Sequence, residues 1–332
     1  MNQILIIQTA SLGDVILSTA LAESLHKGFP AASIDYLVKK GYEGLFNGHP
    51  FIRKVRIWNK KNDKYRNLIQ LALSVRKTRY DSVINVQRFF TSGFLTAVSG
   101  APFRSGFDKN PLSFTFSHKV RHKIGVEGNG EHETERNHHL IDAMPGVSIS
   151  KPALYPSNAD FDTINQWKSS RYITISPASL WFTKQYPVYK WIEFINNIPE
   201  DIRIILLGAS DDADICNDIH ARARHPEVIS LAGKLGFLQS AAIMKNALMN
   251  YVNDSAPMHL ASAVNAPVTV VYCSTVPAFG FGPLSVNAGI IEASPKPDCR
   301  PCGLHGHLQC PEGHFKCAET IKTEQLLYRL ES

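Results

Sequence analysis

The sequence predicts an α/β protein made of two Rossmann-like domains, each built on a parallel sheet. Short apolar runs alternate with helix-like segments along most of the 332 residues, which is the rhythm of βαβ units. The rhythm stops in a stretch over 145–170 that holds three prolines among several Ser and Asn, and then starts again. The length suits about two domains of ordinary size.

In the first half, "QILIIQ" (3–8) reads as a strand and 14–28 as a helix ending near Gly28. Strands follow at "SIDYLV" (33–38), "IRKVRIW" (52–58) and "DSVINV" (81–86), with a helix over 63–78. Residues 107–132 read as irregular, and "ETERNHHLIDAM" (133–144) as a helix. In the second half, strands are predicted at 172–176, 202–208, 248–253 and 267–273, and helices at 188–198, 211–224, 237–247, 256–264 and 318–331. The resulting division is an N-terminal domain over 1–160, a C-terminal domain over 161–317, and a closing helix over 318–332 expected to pack back on the N-terminal domain.

A hydrophobic fraction of 44% and a charged fraction of 19% are those of an ordinary globular chain. The N-terminus has no secretory pattern, and no run approaches the roughly 18–20 apolar residues of a membrane span. A cytoplasmic location follows, with any contact at the inner membrane peripheral. Charge is uneven. Residues 1–155 hold 21 Lys and Arg against 12 Asp and Glu, while 156–332 hold 14 against 17. Either this is ordinary surface, or the first half faces an anionic partner such as a phosphorylated acceptor or a membrane surface. Nucleic acid is not expected, because no binding motif accompanies the charge.

In open parallel sheets ligands sit at the carboxyl ends of strands. Three clusters fall there. In "QTASLGDV" a strand ends near Gln8, and Asp14 follows Gly13 at the start of a helix. Asp14 is either an N-terminal capping acid or a general base, and spacing does not separate the two. In "SPASLWFTKQYPVYKW" (176–191), Lys184 is a cation able to meet a phosphate, or else a solvated loop residue among aromatics. In "VNDSAPMHLASA" (252–263), Asp254 and Ser255 open a short helix whose free N–H groups suit a diphosphate. Asp254 itself fits better on a sugar hydroxyl or as a cap, and His259, one turn in, more often packs than reacts.

Four of the six cysteines form "CRPCGLHGHLQCPEGHFKC": Cys299, Cys302, Cys310 and Cys317, with His305, His307 and His314 between them. The spacing is compatible with a structural tetrahedral zinc, with an iron–sulfur cluster, or with free or oxidised thiols.

These stretches together resemble glycosyltransferase family 9, the ADP-heptose:lipopolysaccharide heptosyltransferases. The similar blocks are "ILIIQTASLGDVILSTALAESL", "RSGF" (104–107), "ISPASLWFTKQYPVYKW", "IILLGASDDADI", "VISLAGKLGFLQSAAIM" and "NDSAPMHLASAVNAPVTVVYCSTVP", in family order. The resemblance implies a GT-B fold, two Rossmann-like domains with parallel sheets facing across a cleft. It implies an inverting transferase that needs no metal for catalysis, moving heptose from ADP-heptose to a lipopolysaccharide core or lipid A-type acceptor. The alternatives are another nucleotide sugar or acceptor on the same fold, or a noncatalytic sugar-nucleotide-binding protein. By resemblance Asp14 is the catalytic base. The donor side takes Thr9, Ser11, Gly13, Lys184, Asp254, Ser255 and His259. Arg53, Lys54 and Arg56 would serve the acceptor side. Ala256 stands where the family usually has glycine, Tyr186 where tryptophan is common, and Lys190 where an acidic or neutral residue is usual.

Overall fold

The computed structural model describes residues 2–61, 63–124, 130–168 and 170–331. The chain divides into two compact units, Met1–Tyr155 and Pro156–Ser332. The division falls five residues before the expected boundary, inside the Pro-containing stretch.

The first unit carries strands β1 (Gln3–Ile7), β2 (Ser33–Lys39), β3 (Ile52–Trp58), β4 (Ser82–Asn85), β5 (Phe103–Phe107) and β6 (His118–Val120). They form one sheet in the order β3-β2-β1-β4-β5-β6, and every pair is parallel. Its helices are α1 (Leu12–Gly28), α2 (Lys64–Thr78), α3 (Phe90–Val98) and α4 (Glu133–His138). β6 lies inside the stretch expected to be irregular, of which 125–129 is outside the described residues. α4 is shorter than the helix expected over 133–144.

The second unit carries β7 (Tyr172–Ser176), β8 (Arg203–Leu206), β9 (Val228–Ser230), β10 (Asn250–Asn253), β11 (Val268–Tyr272) and β12 (Ala288–Glu292), again all parallel, in the order β12-β11-β10-β7-β8-β9. Its helices are α5 (Asn158–Thr163), α6 (Val188–Asn196), α7 (Ala213–Arg222), α8 (Phe237–Lys245), α9 (Ala256–Ala263), α10 (Lys316–Glu319) and α11 (Thr323–Glu331).

The central strands are buried on both faces, so they read as continuous apolar runs. α1 has almost no polar face: Gly13 and every residue from Val15 to Leu25 are buried. Its hydroxyls avoid an unsatisfied state by bonding back up the helix, Ser18 to the Val15 carbonyl at 2.8 Å and Thr19 to that of Ile16 at 2.7 Å. β3 is an edge strand, and its exposed Arg53 and Lys54 disfavour pairing of that edge with another sheet.

α11 buries apolar residues within the second unit. Leu326 is wholly buried in the second unit's core beside Tyr251, whose hydroxyl donates to the Leu326 carbonyl at 3.0 Å. Lys190 and Tyr186 hold this ending. Lys190 Nζ and the Tyr186 hydroxyl both donate to the Ile321 carbonyl, at 2.8 and 3.4 Å. Among the described residues no helix is long and apolar enough to cross a membrane.

Candidate active site

The loop after β1 ends in a reciprocal cap. Ser11 is the N-cap of α1, and its hydroxyl accepts from the Asp14 N–H at 3.4 Å. The Asp14 carboxylate accepts from the Ser11 N–H at 3.1 Å and from its hydroxyl at 2.6 Å. The helix therefore begins at Leu12, two residues early, and Gly13 sits in its first turn without positive φ. Asp14 does cap. Both bonds land on Oδ2, however, and among the described residues Oδ1 stays available to another partner. The capping and basic readings are thus compatible in one side chain.

α4 packs against α1 and brings a charged group close to Asp14. Glu133 is buried and paired with Arg136 at 2.7 Å. Burial pushes its carboxyl above the usual range, Arg136 opposes this, and the Asp14 charge adds to it. Burial lowers His122 to about 4, with Arg88 and Arg136 pushing the same way.

Beside the same loop lies a cavity of about 430 Å³ lined by Thr9, Trp58, Lys60, Lys64, Phe89, Phe90 and Thr91. Lys60 Nζ donates to the Thr9 carbonyl at 2.8 Å and to its hydroxyl at 3.2 Å, and lies 4.6 Å from the Trp58 ring centre. Its pKa is lowered by burial, with Lys39 and Lys64 adding to the shift. Thr9, expected on the donor side, is a wall of this first-unit cavity. The combination of two cations with three aromatic faces suits an anionic sugar.

Arg53, Lys54 and Arg56, expected on the acceptor side, all stand on β3. Asp35, wholly buried on β2, takes Arg53 Nε at 2.9 Å and Nη2 at 3.0 Å. Arg56 is buried, with Nε on the Tyr80 hydroxyl at 2.6 Å and its other nitrogens on Ser74 and Thr78, each at 2.7 Å. The Tyr80 hydroxyl in turn donates to Asp35. Both arginines are engaged in neutralising a buried acid, and Lys54 is an exposed edge-strand cation. Beyond the carboxyl end of β3, Lys60 and Lys64 line the cavity. The sequence carried a signal for the rest of the cavity: "RFF" (88–90) begins three residues after the β4 strand end.

In the second unit, Asn253 at the end of β10 fixes the loop that bears Lys184. Its side chain accepts from the Tyr186 N–H at 3.0 Å and donates to the Pro177 carbonyl at 2.7 Å. Lys184 then reaches Asp254, Nζ to Oδ2 at 2.6 Å, and the Thr275 hydroxyl donates to the same oxygen at 2.5 Å. Asp254 does not cap α9, whose N-cap is Ser255 with no side-chain cap bond. Ala256 takes an ordinary helical backbone, so this turn needs no glycine. His259 is buried within α9.

The cysteine loop braces this site. The Cys302 N–H donates to the Ser274 carbonyl at 2.8 Å, and Thr183 exchanges bonds with His307 at 2.8 and 3.1 Å. Gly306, at φ +76°, lies against Thr183 and Lys184 with no room for a Cβ. The thiols differ in setting. Cys299 is exposed, Cys302 and Cys310 are half-buried, and Cys317 is buried, its thiol pushed up to about 11 by that burial. Among the described residues no group of three or more His, Cys, Asp or Glu is arranged to hold a metal ion. As placed, the four thiols do not form the closed donor set of a tetrahedral zinc.

The sequence profile of glycosyltransferase family 9 (heptosyltransferase) matches residues 68–306. The chain belongs to glycosyltransferase family 9. Among this family-9 enzyme's relatives are lipopolysaccharide heptosyltransferase 3 of Escherichia coli, 25% identical over 79% of this chain and 81% of the relative. Lipopolysaccharide heptosyltransferase 1 of Campylobacter coli is also 25% identical, over 82% and 84%. The solved ADP-heptose heptosyltransferase II of E. coli superposes with a TM-score of 0.81 at 21% identity, covering 100% of this chain and 98% of that one. The α/β, GT-B-like architecture expected from the sequence is therefore the fold, and the chain is a glycosyltransferase of the heptosyltransferase kind.

Proposed function

We propose that this family-9 enzyme transfers heptose from ADP-heptose to a hydroxyl of a lipopolysaccharide inner-core acceptor, with inversion at the anomeric carbon. The observation that carries the chemistry is the Asp14 carboxylate, fixed through Oδ2 at the carboxyl end of β1 with Oδ1 left open. The acceptor oxygen attacks the anomeric carbon, the bond to the ADP oxygen breaks, and the hydroxyl proton passes to Asp14 Oδ1. Such general-base help is worth about 10²–10⁴-fold. The charge that develops on ADP is met by Lys184 and by the N–H groups opening α9. Asp254 orients Lys184 and keeps Oδ1 for a sugar or ribose hydroxyl. The acceptor's anionic core lies on Lys60 and Lys64, its rings against Trp58, Phe89 and Phe90. These roles assign no step to a metal, and activity should survive exhaustive chelation.

The test is mass spectrometry of a truncated lipopolysaccharide acceptor incubated with ADP-heptose, and in parallel with UDP-, GDP- and ADP-hexoses. A heptose increment with ADP-heptose alone supports the reading. An increment with a hexose donor reassigns the donor, and binding without turnover across acceptors makes the protein noncatalytic.

A further inference from the structure

The surface of α2 carries a feature that the transfer reaction does not use. Leu68, Leu71, Ala72 and Val75 make its buried face. A second apolar row runs along the outside: Tyr65, Ile69 and Leu73 at i, i+4 and i+8, exposed to 72%, 57% and 67%. Scattered exposed apolar residues are normal, but a continuous row on one helix marks a contact surface. The charges around it are of one sign. α2 contains no acid, and across 59–79 seven Lys and Arg face a single acid, Asp63 at the N-cap. Arg66, Arg76 and Lys77 are exposed on the helix itself. The row begins beside Lys64, whose Nζ lies 5.6 Å from the Tyr65 ring centre and which also lines the cavity with Phe89 and Phe90.

We propose that the outer face of α2 docks this protein on an anionic lipid bilayer, with Tyr65, Ile69 and Leu73 entering the headgroup boundary and the flanking cations meeting lipid phosphates. An apolar row edged by Lys and Arg is the pattern of an interfacial helix. A second copy seated on the same face would set basic residues against basic residues. A nucleic acid would leave the apolar row uncovered. This placement puts the mouth of the Lys60–Lys64 cavity at a lipid surface, the place from which a lipid-anchored acceptor is drawn. That consequence rests on the proposed transfer reaction; the docking itself does not.

The test is flotation of the full-length protein with vesicles of phosphatidylethanolamine and phosphatidylglycerol, and with neutral phosphatidylcholine vesicles, without donor or acceptor. Lipid binding and transfer therefore fail separately. The protein should partition onto anionic vesicles at least about tenfold more than onto neutral ones, and lose this at 1 M salt, where the screening length falls to about 3 Å. Arg66→Gln with Lys77→Gln should lower partition roughly 25-fold, at about fivefold per cation. Ile69→Gln with Leu73→Gln should lower it at least about tenfold. Glutamine keeps helix propensity, and unchanged circular-dichroism melts confirm that each variant folds. Equal binding to neutral vesicles, or folded variants that bind as the parent does, would overturn the proposal. So would a dimer in sedimentation that Ile69→Gln dissolves while vesicle binding persists. Capture by single-stranded RNA that needs Arg66 and Lys77 but not Ile69 and Leu73, without vesicle binding, would assign the face to nucleic acid instead.

Discussion

Lys184 Nζ stands 2.6 Å from Asp254 Oδ2, and neither side chain has much access to water. The pair ties a loop after β7 to the end of β10, so the cation assigned to the diphosphate is held by an acid from a neighbouring strand. Lys184→Ala should then do two things. It should leave a buried carboxylate unpaired, costing about 3–5 kcal/mol of stability. It should also weaken ADP binding by more than the roughly 1.5–3 kcal/mol of one charged hydrogen bond, because Asp254 would now repel the diphosphate. Adding Asp254→Asn should restore the melting temperature and leave ADP affinity low. Calorimetry with ADP on the single and double variants checks both. A single variant with native affinity would remove Lys184 from the donor site.

Asp14 can be tested without disturbing its cap. Asparagine keeps an oxygen for the Ser11 N–H and hydroxyl, but it cannot take a proton. Asp14→Asn should lower kcat by at least about 10²-fold with KM for the donor nearly unchanged. Its melting temperature should stay close to that of the parent. Ser11→Ala should show the reverse pattern, a loss of about 0.5–2 kcal/mol of stability with most turnover retained. If Asp14→Asn turns over normally, the acid is a cap and the base lies elsewhere.

What the sequence made legible follows the range of the interactions. The central strands were readable because double burial makes each a continuous apolar run. The Ser11–Asp14 cap was within reach for the same reason, since its two partners are three residues apart. The interior strand β5, whose Arg104 and Gly106 break up its apolar run, was missed, and so were the short edge strands β6, β9 and β12. Two have three residues each, and β12 alternates buried and exposed positions without an apolar run. The surroundings of Arg56 were not legible because Asp35 and Tyr80 lie more than 20 residues away on either side and meet it only once the sheet has formed. The Lys184–Asp254 pair spans 70 positions and left no local trace.

The cations of the first unit fall into two groups, and these separate two sets of variants. Asp35, Arg53, Arg56 and Tyr80 form one network with its acid fully buried. Arg56→Ala should unfold at clearly lower denaturant, on the order of 3–5 kcal/mol less stable, with acceptor KM unchanged in the surviving folded enzyme. Lys60→Ala and Lys64→Ala should instead raise acceptor KM and flatten its dependence on salt, while donor KM holds. Acceptor KM measured from about 0.05 to 0.5 M salt, alongside urea melts, distinguishes them. A salt slope unchanged in the Lys60 and Lys64 variants would place the acceptor away from the cavity.

His49 gives the first unit a dependence on pH. Burial lowers its pKa to about 4, and repulsion from His26 acts the same way. Its Nδ1 accepts from the Ile52 N–H at 3.3 Å, a bond that only an unprotonated Nδ1 makes. The unfolded chain takes the proton near 6.5, so the unfolded state binds more protons between 6.5 and 4. Stability from this residue is complete above about 6.5 and is lost as pH falls toward 4. Glu133 works in the opposite sense, because a raised carboxyl favours the fold at low pH and loses that contribution as pH rises. The melting temperature of His49→Asn, which keeps an acceptor but does not titrate, should fall less steeply than the parent's between pH 6.5 and 4. Parallel curves would mean that His49 is protonated equally in both states.

The cysteine loop offers a last separation, between thiols that stand alone and thiols that share a metal. As placed, they differ widely. Cys299 is exposed, whereas burial holds the Cys317 thiol near 11 and also raises that of Cys302, the neighbouring Cys310 and Cys299 adding to the shift. The thiolate is the species that alkylates. At pH 8 iodoacetamide should therefore reach Cys299 first and Cys317 on the order of 10²-fold more slowly, in proportion to its small thiolate fraction. Cys216, pushed up to about 12 by burial, should resist longest with Cys273. A shared zinc predicts something else: Cys299, Cys302, Cys310 and Cys317 protected together, released together by a chelator, with about one metal per chain. Peptide mass spectrometry over a time course, with and without chelator, reads the order directly. An ordered reaction unaffected by chelator assigns the loop to bracing Thr183 and Lys184 through its backbone. Joint protection would mean that metal draws the four thiols closer than they stand here.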